Sequence, residues 1–422
     1  MKTAVVGGGW AGLAAAVRAR QAGCEVTLFE MASHLGGRAR SVALGDWVLD
    51  NGQHILIGAY SRTLDLLATV GCAVDAAFER RPLELRYPDG RGFRLPKGPV
   101  WWAFTRAVLG CRGWDLRDRT SLMTAAAGWA LRLFRCPPEW SVERLCRGLT
   151  PAVRELLIEP LCIAALNTPS EEASAQVMLR VLADALFGGP GSADLLLPRR
   201  PLGELLPEPA GRWLAAQGCG LQTEWRVHGL RRVDGHWQVD GHPFDRVILA
   251  CSAAEAARLT QDFAPGWAEL TRSLHYEPIV TVYAECPGAR LPSPMTSLFA
   301  GPAAPAQFAF DHGALGRTSG VFAFVVSGAA GWLKQGLEPL GQAVLQQALD
   351  TFAPGTWPQA PQVLRVLAER RATFRCTPGL LRPPAEVAPG IFAAGDYIQG
   401  PYPATLEGAV RSGEQAVLLA LT

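Results

Sequence analysis

Lysine is almost missing from this 422-residue chain. It occurs only as Lys2, Lys97 and Lys334, so arginine supplies nearly all of the 40 basic residues. Set against 38 acidic residues, these leave a formal net charge of +2. That balance excludes a protein whose main partner is a nucleic acid. The ten cysteines are scattered and form no C-x-x-C pair. A zinc or disulfide framework is therefore not expected, and no metal site is assigned. Such cysteines read as small buried apolar side chains in a reducing compartment. No uncharged apolar run reaches the roughly 18 residues of a membrane-crossing helix. Internal repeats and low-complexity linkers are also lacking. The first strand begins by residue 4, which leaves no room for a signal peptide and predicts a cytoplasmic protein. The length suffices for two or three domains with substantial cores.

What is present concentrates first in Thr3 to Ser41. Ala4-Val5-Val6 reads as a short buried strand, Leu13 to Gln21 as a helix of small residues, and Glu25 to Phe29 as a second strand. Between the first strand and the helix lies G-x-G-x-x-G at Gly7, Gly9 and Gly12, with Trp10 and Ala11 inside the turn. The first glycine permits the turn, the second admits a pyrophosphate to the backbone, and the third lets helix and strand pack closely. A diphosphate belongs at that helix N-terminus, where free N–H groups and the helix dipole favour anions. Glu30, 18 residues after Gly12, is placed to accept from both ribose hydroxyls and to repel a 2′-phosphate. FAD or NAD is favoured over NADP.

Gly36-Gly37-Arg38, followed by Arg40, decides between those two. A second glycine pair with an arginine brings another backbone turn and a cation to the same diphosphate. This phrase after the acidic residue resembles the flavin-binding amine oxidase and phytoene desaturase superfamily. The resemblance implies an α/β fold: a Rossmann-type FAD-binding domain interleaved with a substrate domain of mixed sheet and helices. The expected FAD domain is discontinuous, over 1–80, 216–262 and 386–422, with the substrate domain over 81–215 and 263–385. The same resemblance places Gly52 of Asp50-Asn51-Gly52 against the isoalloxazine ring, with Gln53 and His54 beside it. It also sets Val227 at the adenine and Gly395-Asp396 at the ribityl–phosphate region. The N-terminus of a helix beginning near Thr405 and Leu406 then faces the flavin, where negative charge collects on reduction. Many amine oxidases carry a lysine on the strand after Pro278. Here that strand reads Ile279 to Tyr283, which counts against amine oxidation.

In the middle of the chain, Leu83 to Arg94 reads as a hairpin around Pro88-Asp89-Gly90. A helix from Thr120 is expected to carry Leu122, Ala126, Trp129 and Leu133 on one face. Thr168-Pro169-Ser170-Glu171 has the form of a capped helix start, with the helix continuing to Phe187. Short strands between Leu221 and Asp245 form a meander, and Val247 to Cys251 rejoins the first sheet. Tyr276 to Tyr283, Gln307 to Asp311 and Val321 to Ser327 form a sheet suited to flooring a hydrophobic ligand. Between Arg91 and Arg135 nine Arg/Lys face only two acids, Asp115 and Asp118. With Trp101-Trp102, this predicts contact with an anionic membrane surface over 91–135, hence a peripheral protein.

Several phrases resemble, within the superfamily, the hydroxysqualene dehydroxylases. They are Asp50 to His54, Asn167-Thr168-Pro169, Asp194 to Pro198, Glu369 to Phe374, and Pro403 to Ala409. Tyr397 stands where that family is expected to have tryptophan. The resemblance implies a lipophilic isoprenoid substrate, hydroxysqualene, whose allylic hydroxyl is exchanged for hydride to give squalene on a hopanoid or triterpenoid route. No motif specifies the electron donor that reduces FAD. Departure of the hydroxyl calls for an acid. His54 is the first candidate, because an imidazolium donates near neutral pH; Asp311 and Tyr402 are the others. The alternatives are a carotenoid-type desaturase or other FAD oxidase of a lipophilic substrate, and a flavin-stabilised scaffold of a lipid-synthesis complex.

Overall fold

A computed structural model describes all residues, 1–422. Its first sheet runs in the spatial order Gly220–Gln222, Glu25–Phe29, Lys2–Val6, Arg246–Leu249, Ile391–Ala393, Glu386–Ala388. All neighbours are parallel except the last pair. Ala4, Val5 and Val6 are buried on both sides of the sheet. That explains a strand with no polar alternation. Helix Trp10–Gln21 covers one face together with the C-terminal helix Leu406–Leu421. The two approach so closely that a Cβ on Gly413 would lie 2.2 Å from the Ala11 carbonyl oxygen.

The second sheet is antiparallel: Met295–Ser297, Phe308–Asp311, Val321–Ser327, Tyr276–Glu285, Gln362–Phe374. Successive side chains on a strand point to opposite faces. Phe308 and Phe310 therefore share one face, and Ala309 and Asp311 the other. The meander is present as Leu230–Val233, His236–Val239 and His242–Phe244. A small three-stranded sheet joins Leu56–Ile57, Leu195–Pro198 and Phe78–Arg81. Thus Asp194 to Pro198, one of the family phrases, supplies a buried structural strand. The hairpin pairs Glu84–Arg86 with Gly92–Arg94.

Two helix readings need correction. The helix expected from Thr120 begins at Leu116, because Asp115 and Asp118 form a reciprocal capping box. It ends at Leu131, so Leu133 lies beyond it, at φ +50° and exposed. Leu122 and Trp129 are buried in the core. Thr168 caps nothing: its hydroxyl donates to the Leu166 carbonyl, and residues 168–173 form turns. The helix Ala175–Phe187 takes its cap from Ser174, whose hydroxyl accepts from the Val177 N–H. A second serine six residues after the first plausible cap was the competing signal. No helix is long and apolar enough to cross a membrane.

Candidate active site

A cavity of about 540 Å³ runs from the glycine turn to the face of the second sheet. At its first end the helix Trp10–Gln21 has Gly9 as N-cap, no side-chain cap and no acid in its first turn. Its first backbone N–H groups are left for something outside the helix. Gly7 has φ +112°, and a Cβ there would meet the Ala250 carbonyl at 2.6 Å. Gly12, like Gly8, does not line the cavity; a Cβ on Gly12 would lie 1.8 Å from the Gly7 oxygen. Close packing is therefore its whole role. Glu30 is buried, with one carboxylate oxygen accepting from Gly8 N–H (2.7 Å) and the other from Ala32 N–H (2.8 Å). Val227 lines the same end between Trp225, Arg226 and Leu259, and its carbonyl accepts from Arg258 (2.6 Å).

Further along, Arg38 and Asp396, distant in sequence, form an ion pair, and Arg38 also donates to the Ala372 carbonyl (2.8 Å). The two were expected to act separately on the diphosphate and the ribityl region. The pair closes the wall between the second glycine loop, Gly36-Gly37, and the C-terminal Gly395-Asp396 turn. Gly395 N–H donates to Ser412 Oγ (2.8 Å). Thr405 is indeed the N-cap of the last helix, accepting from Gly408 N–H (2.9 Å), and Leu406 begins it. Immediately before it, Ala404 lines the cavity at φ +56°. A non-glycine residue there is strained by the order of 1 kcal/mol or more, and such strain gathers at functional sites.

The Asn51–His54 loop forms the next part of the wall, and buried Asp50 anchors it. Asp50 accepts from Leu202 N–H (2.7 Å) and Arg317 (2.7 Å), and its carbonyl accepts from Tyr283 OH (2.8 Å). Arg317 is itself buried, so this is an ion pair shielded from water. Gln53 Oε1 accepts from His312 Nε2 at 3.3 Å, while Gln53 Nε2 is buried with no partner. His54 Nδ1 lies 2.8 Å from the Gly52 carbonyl. A carbonyl only accepts, so Nδ1 carries the hydrogen and Nε2 is left as an acceptor. Burial lowers the pKa of His54 from 6.5, although the bond to Gly52 opposes this. His54 is thus in the wall, as expected, and burial shifts it toward the neutral imidazole. That shift disfavours the proton-donor role expected of an imidazolium.

The other two acid candidates lie outside the cavity wall. Asp311 is fully buried on the opposite face from Phe310 and accepts from Leu291 N–H (3.0 Å) and Ala314 N–H (2.9 Å). It ties down a turn. Tyr402 is buried under the Arg180 and Arg411 guanidinium groups, 5.4 and 4.9 Å from its ring centre. Burial pushes its phenol up. Its carbonyl serves Thr405 Oγ at 3.0 Å.

The far end is apolar. Ile163, Ala164, Ala165, Ile279, Phe308, Phe310 and Val325 line it, and no lysine does. Asn167, at φ +46°, fastens this wall: it accepts from Gly328 N–H (2.8 Å) and donates to Thr373 Oγ1 (2.9 Å). Its left-handed backbone ends the helix Glu159–Leu166, a conformation asparagine tolerates. Sequence reading missed Ile163–Ala165, Tyr60, Ala250 and Tyr397 as lining residues. The Phe308/Phe310 alternation was the one usable signal among the apolar positions.

The model of the flavin-containing amine oxidoreductases matches residues 10–419. The chain belongs to that family. A hydroxysqualene dehydroxylase of Rhodopseudomonas palustris is 29% identical over 450 aligned residues, covering 99% of this chain and 97% of that protein. A zeta-carotene desaturase of a Synechocystis strain is 24% identical, covering 99% and 96%. An oxidoreductase from Methanosarcina mazei superposes with a TM-score of 0.75 at 18% identity, covering 99% of this chain and 100% of that one. That last likeness speaks to the fold alone. As a flavin-containing amine oxidoreductase, the protein uses FAD. The cavity fits it: open helix N–H groups, a glycine cradle that a Cβ would fill, and an unpartnered Gln53 amide lie along one channel.

Proposed function

We propose that this FAD-dependent oxidoreductase removes the hydroxyl of hydroxysqualene reductively, giving squalene and water. One observation carries the reading. Of the five phrases that resemble hydroxysqualene dehydroxylases, four contribute to the wall of the same cavity: Asn51–His54, Asn167, Glu369 with Arg371–Thr373, and Ala404–Leu406. The full-length similarity to a protein of that name supports it.

In this reading the amides of Gly9, Trp10 and Ala11 hold the FAD diphosphate and Glu30 the ribose. Gly37, Arg38, Gly52, Gln53, Gly395, Asp396, Thr405 and Leu406 surround the remainder. Reduced FAD supplies the hydride. The chain's own task is to orient a long apolar substrate and keep water from an allylic carbon that bears cationic character. Ile279, Phe308, Phe310 and Val325 serve that end, since a dry site prevents capture by solvent. Because burial lowers the pKa of His54, the proton for the departing hydroxyl is taken in this reading from elsewhere than a resident imidazolium. The Nε2 of His54 accepts, and so orients, a hydroxyl or a water that carries the proton.

Overall, hydroxysqualene with reduced FAD becomes squalene, water and oxidised FAD. Anaerobic mixing of the reduced protein with hydroxysqualene should form squalene in step with flavin reoxidation. Reduced flavin that persists, with the substrate recovered intact, would rule the reaction out. The zeta-carotene desaturase relative favours a second reading, oxidation of a linear polyene in the same cavity. Oxidised protein that introduces a double bond into such a substrate, with no squalene from the first assay, would select it.

A further inference from the structure

A groove of about 730 Å³, separate in its lining residues from the FAD cavity, lies between the hairpin Glu84–Arg86/Gly92–Arg94 and the helix Val100–Gly110. The cations Arg86, Arg91, Arg94, Lys97, Arg106 and Arg112 line it, against one acid, Glu84. Glu84 is already engaged by Arg86 (2.9 Å) and Arg81 (3.7 Å), and Asp89 pairs with Arg91 (2.6 Å). Arg94, Lys97, Arg106 and Arg112 are exposed and take part in none of the molecule's ion pairs. Arg258, Arg375 and Arg411, by contrast, each find a carboxylate. Four uncompensated cations facing one groove form a site for phosphate groups.

The helix that walls the groove also carries exposed apolar side chains. Ala103, Phe104, Ala107 and Val108 are buried, whereas Trp101, Trp102 and Leu109 are 55%, 61% and 60% exposed. Trp101 packs edge-on against Phe187 at 5.3 Å, and Phe187 is itself 43% exposed. Exposed tryptophans beside unpaired cations match the chemistry of a lipid interface, with rings at headgroup level and positive charge toward anionic phosphate. We infer that the groove and the Trp101–Trp102–Leu109 ridge form one docking surface for an anionic bilayer, with the groove receiving headgroup phosphates.

The surface differs from the span 91–135 read from sequence. Leu122 and Trp129 of that span are core, while Arg86 and the loop around Pro292–Thr296 belong to the groove. That loop leads into Met295–Ser297, which pairs with Phe308–Asp311, the strand whose phenylalanines line the cavity. The inference does not depend on which lipophilic substrate the cavity takes.

Flotation with vesicles of zwitterionic lipid, with and without phosphatidylglycerol, tests it on the FAD-loaded protein. Wild type should float with the anionic vesicles and release as salt is raised. Arg94→Gln/Lys97→Gln/Arg106→Gln/Arg112→Gln should lose about 600-fold in partitioning, roughly fivefold per cation removed. Trp101→Ser/Trp102→Ser should weaken attachment to both vesicle types. All six positions are exposed or solvent-facing, so flavin content and circular dichroism should be unchanged. Equal flotation with neutral and anionic vesicles would overturn the inference, as would wild-type behaviour of the quadruple variant. Displacement by inorganic phosphate at fixed ionic strength would make the groove a free-phosphate site instead. Retention on duplex DNA without flotation would make it a nucleic-acid surface.

Discussion

The two ends of the cavity are made of different material. At the glycine turn the wall is backbone: amides at a helix N-terminus, Gly7 where no Cβ fits, and Gly37 held at φ +60° against Gly9. At the second sheet the wall is side chain: Ile279, Phe308, Phe310 and Val325. A backbone wall fixes its ligand by positions that admit one residue type. A side-chain wall fixes it by volume, which many combinations of residues can supply. Between them lies the Asn51–His54 loop, anchored by a buried ion pair.

Gly12→Val is the severest way to break the first end. Its side chain would overlap the Gly7 carbonyl, since even a Cβ would lie 1.8 Å from it. The variant should lose FAD entirely, and a purified Gly12→Val protein that stays yellow would contradict the assignment. Arg317→Met attacks the joint: it strands the Asp50 carboxylate, 1% exposed, and should cost ~3–5 kcal/mol by denaturant unfolding. Pairing it with Asp50→Leu should recover part of that loss. A single variant as stable as wild type would show that the ion pair does not anchor the loop.

The joint also contains a pH dependence. Burial, and then Arg317, lower the pKa of His312 well below 6.5. Below pH 6.5 the unfolded chain therefore binds a proton that the folded chain refuses, so stability falls as pH falls. The slope should reach ~1.4 kcal/mol per pH unit for this group. His312→Gln should flatten the slope between pH 6.5 and 5.5 in urea titrations. An unchanged slope would mean that His312 protonates in place.

At the side-chain end, Ile279→Val should cost only ~0.5–1.5 kcal/mol and leave FAD occupancy intact; loss of flavin there would erase the distinction between the two ends. The smallest expected change is in His54→Ala. With Nε2 as an acceptor rather than an acid, the flavin reoxidation step should slow by less than about tenfold. A loss of about 10²-fold or more at constant FAD content would restore His54 as the acid.

The same contrast explains what could be read in advance. Gly7, Gly9, Glu30, Gly37 and Asp396 were legible as cavity-wall residues because their motifs fix residue type and spacing. The α/β architecture and both sheets followed from apolar runs and alternation. Asp311 was misplaced by one position on its strand, since a single step turns a side chain to the other face. His54 lies in the cavity wall, but its protonation depends on the Gly52 carbonyl and on burial, neither of which is local sequence. The Arg38–Asp396 pair spans 358 positions, and no motif declares a partner so distant. Ile163 to Ala165 carry no signal beyond being apolar.

The chain order of the first sheet has a consequence for synthesis. Its central strand, Lys2–Val6, is made long before one neighbour, Arg246–Leu249, and longer still before the next strand after that, Ile391–Ala393. At about 5–20 residues per second, the apolar edge of Ala4–Val6 waits on the order of ten seconds or more for its partner. The helix that covers it, Leu406–Leu421, is made later still. The nucleotide site therefore cannot form until that helix has been synthesised, and until then one edge of the central strand is open to aggregation.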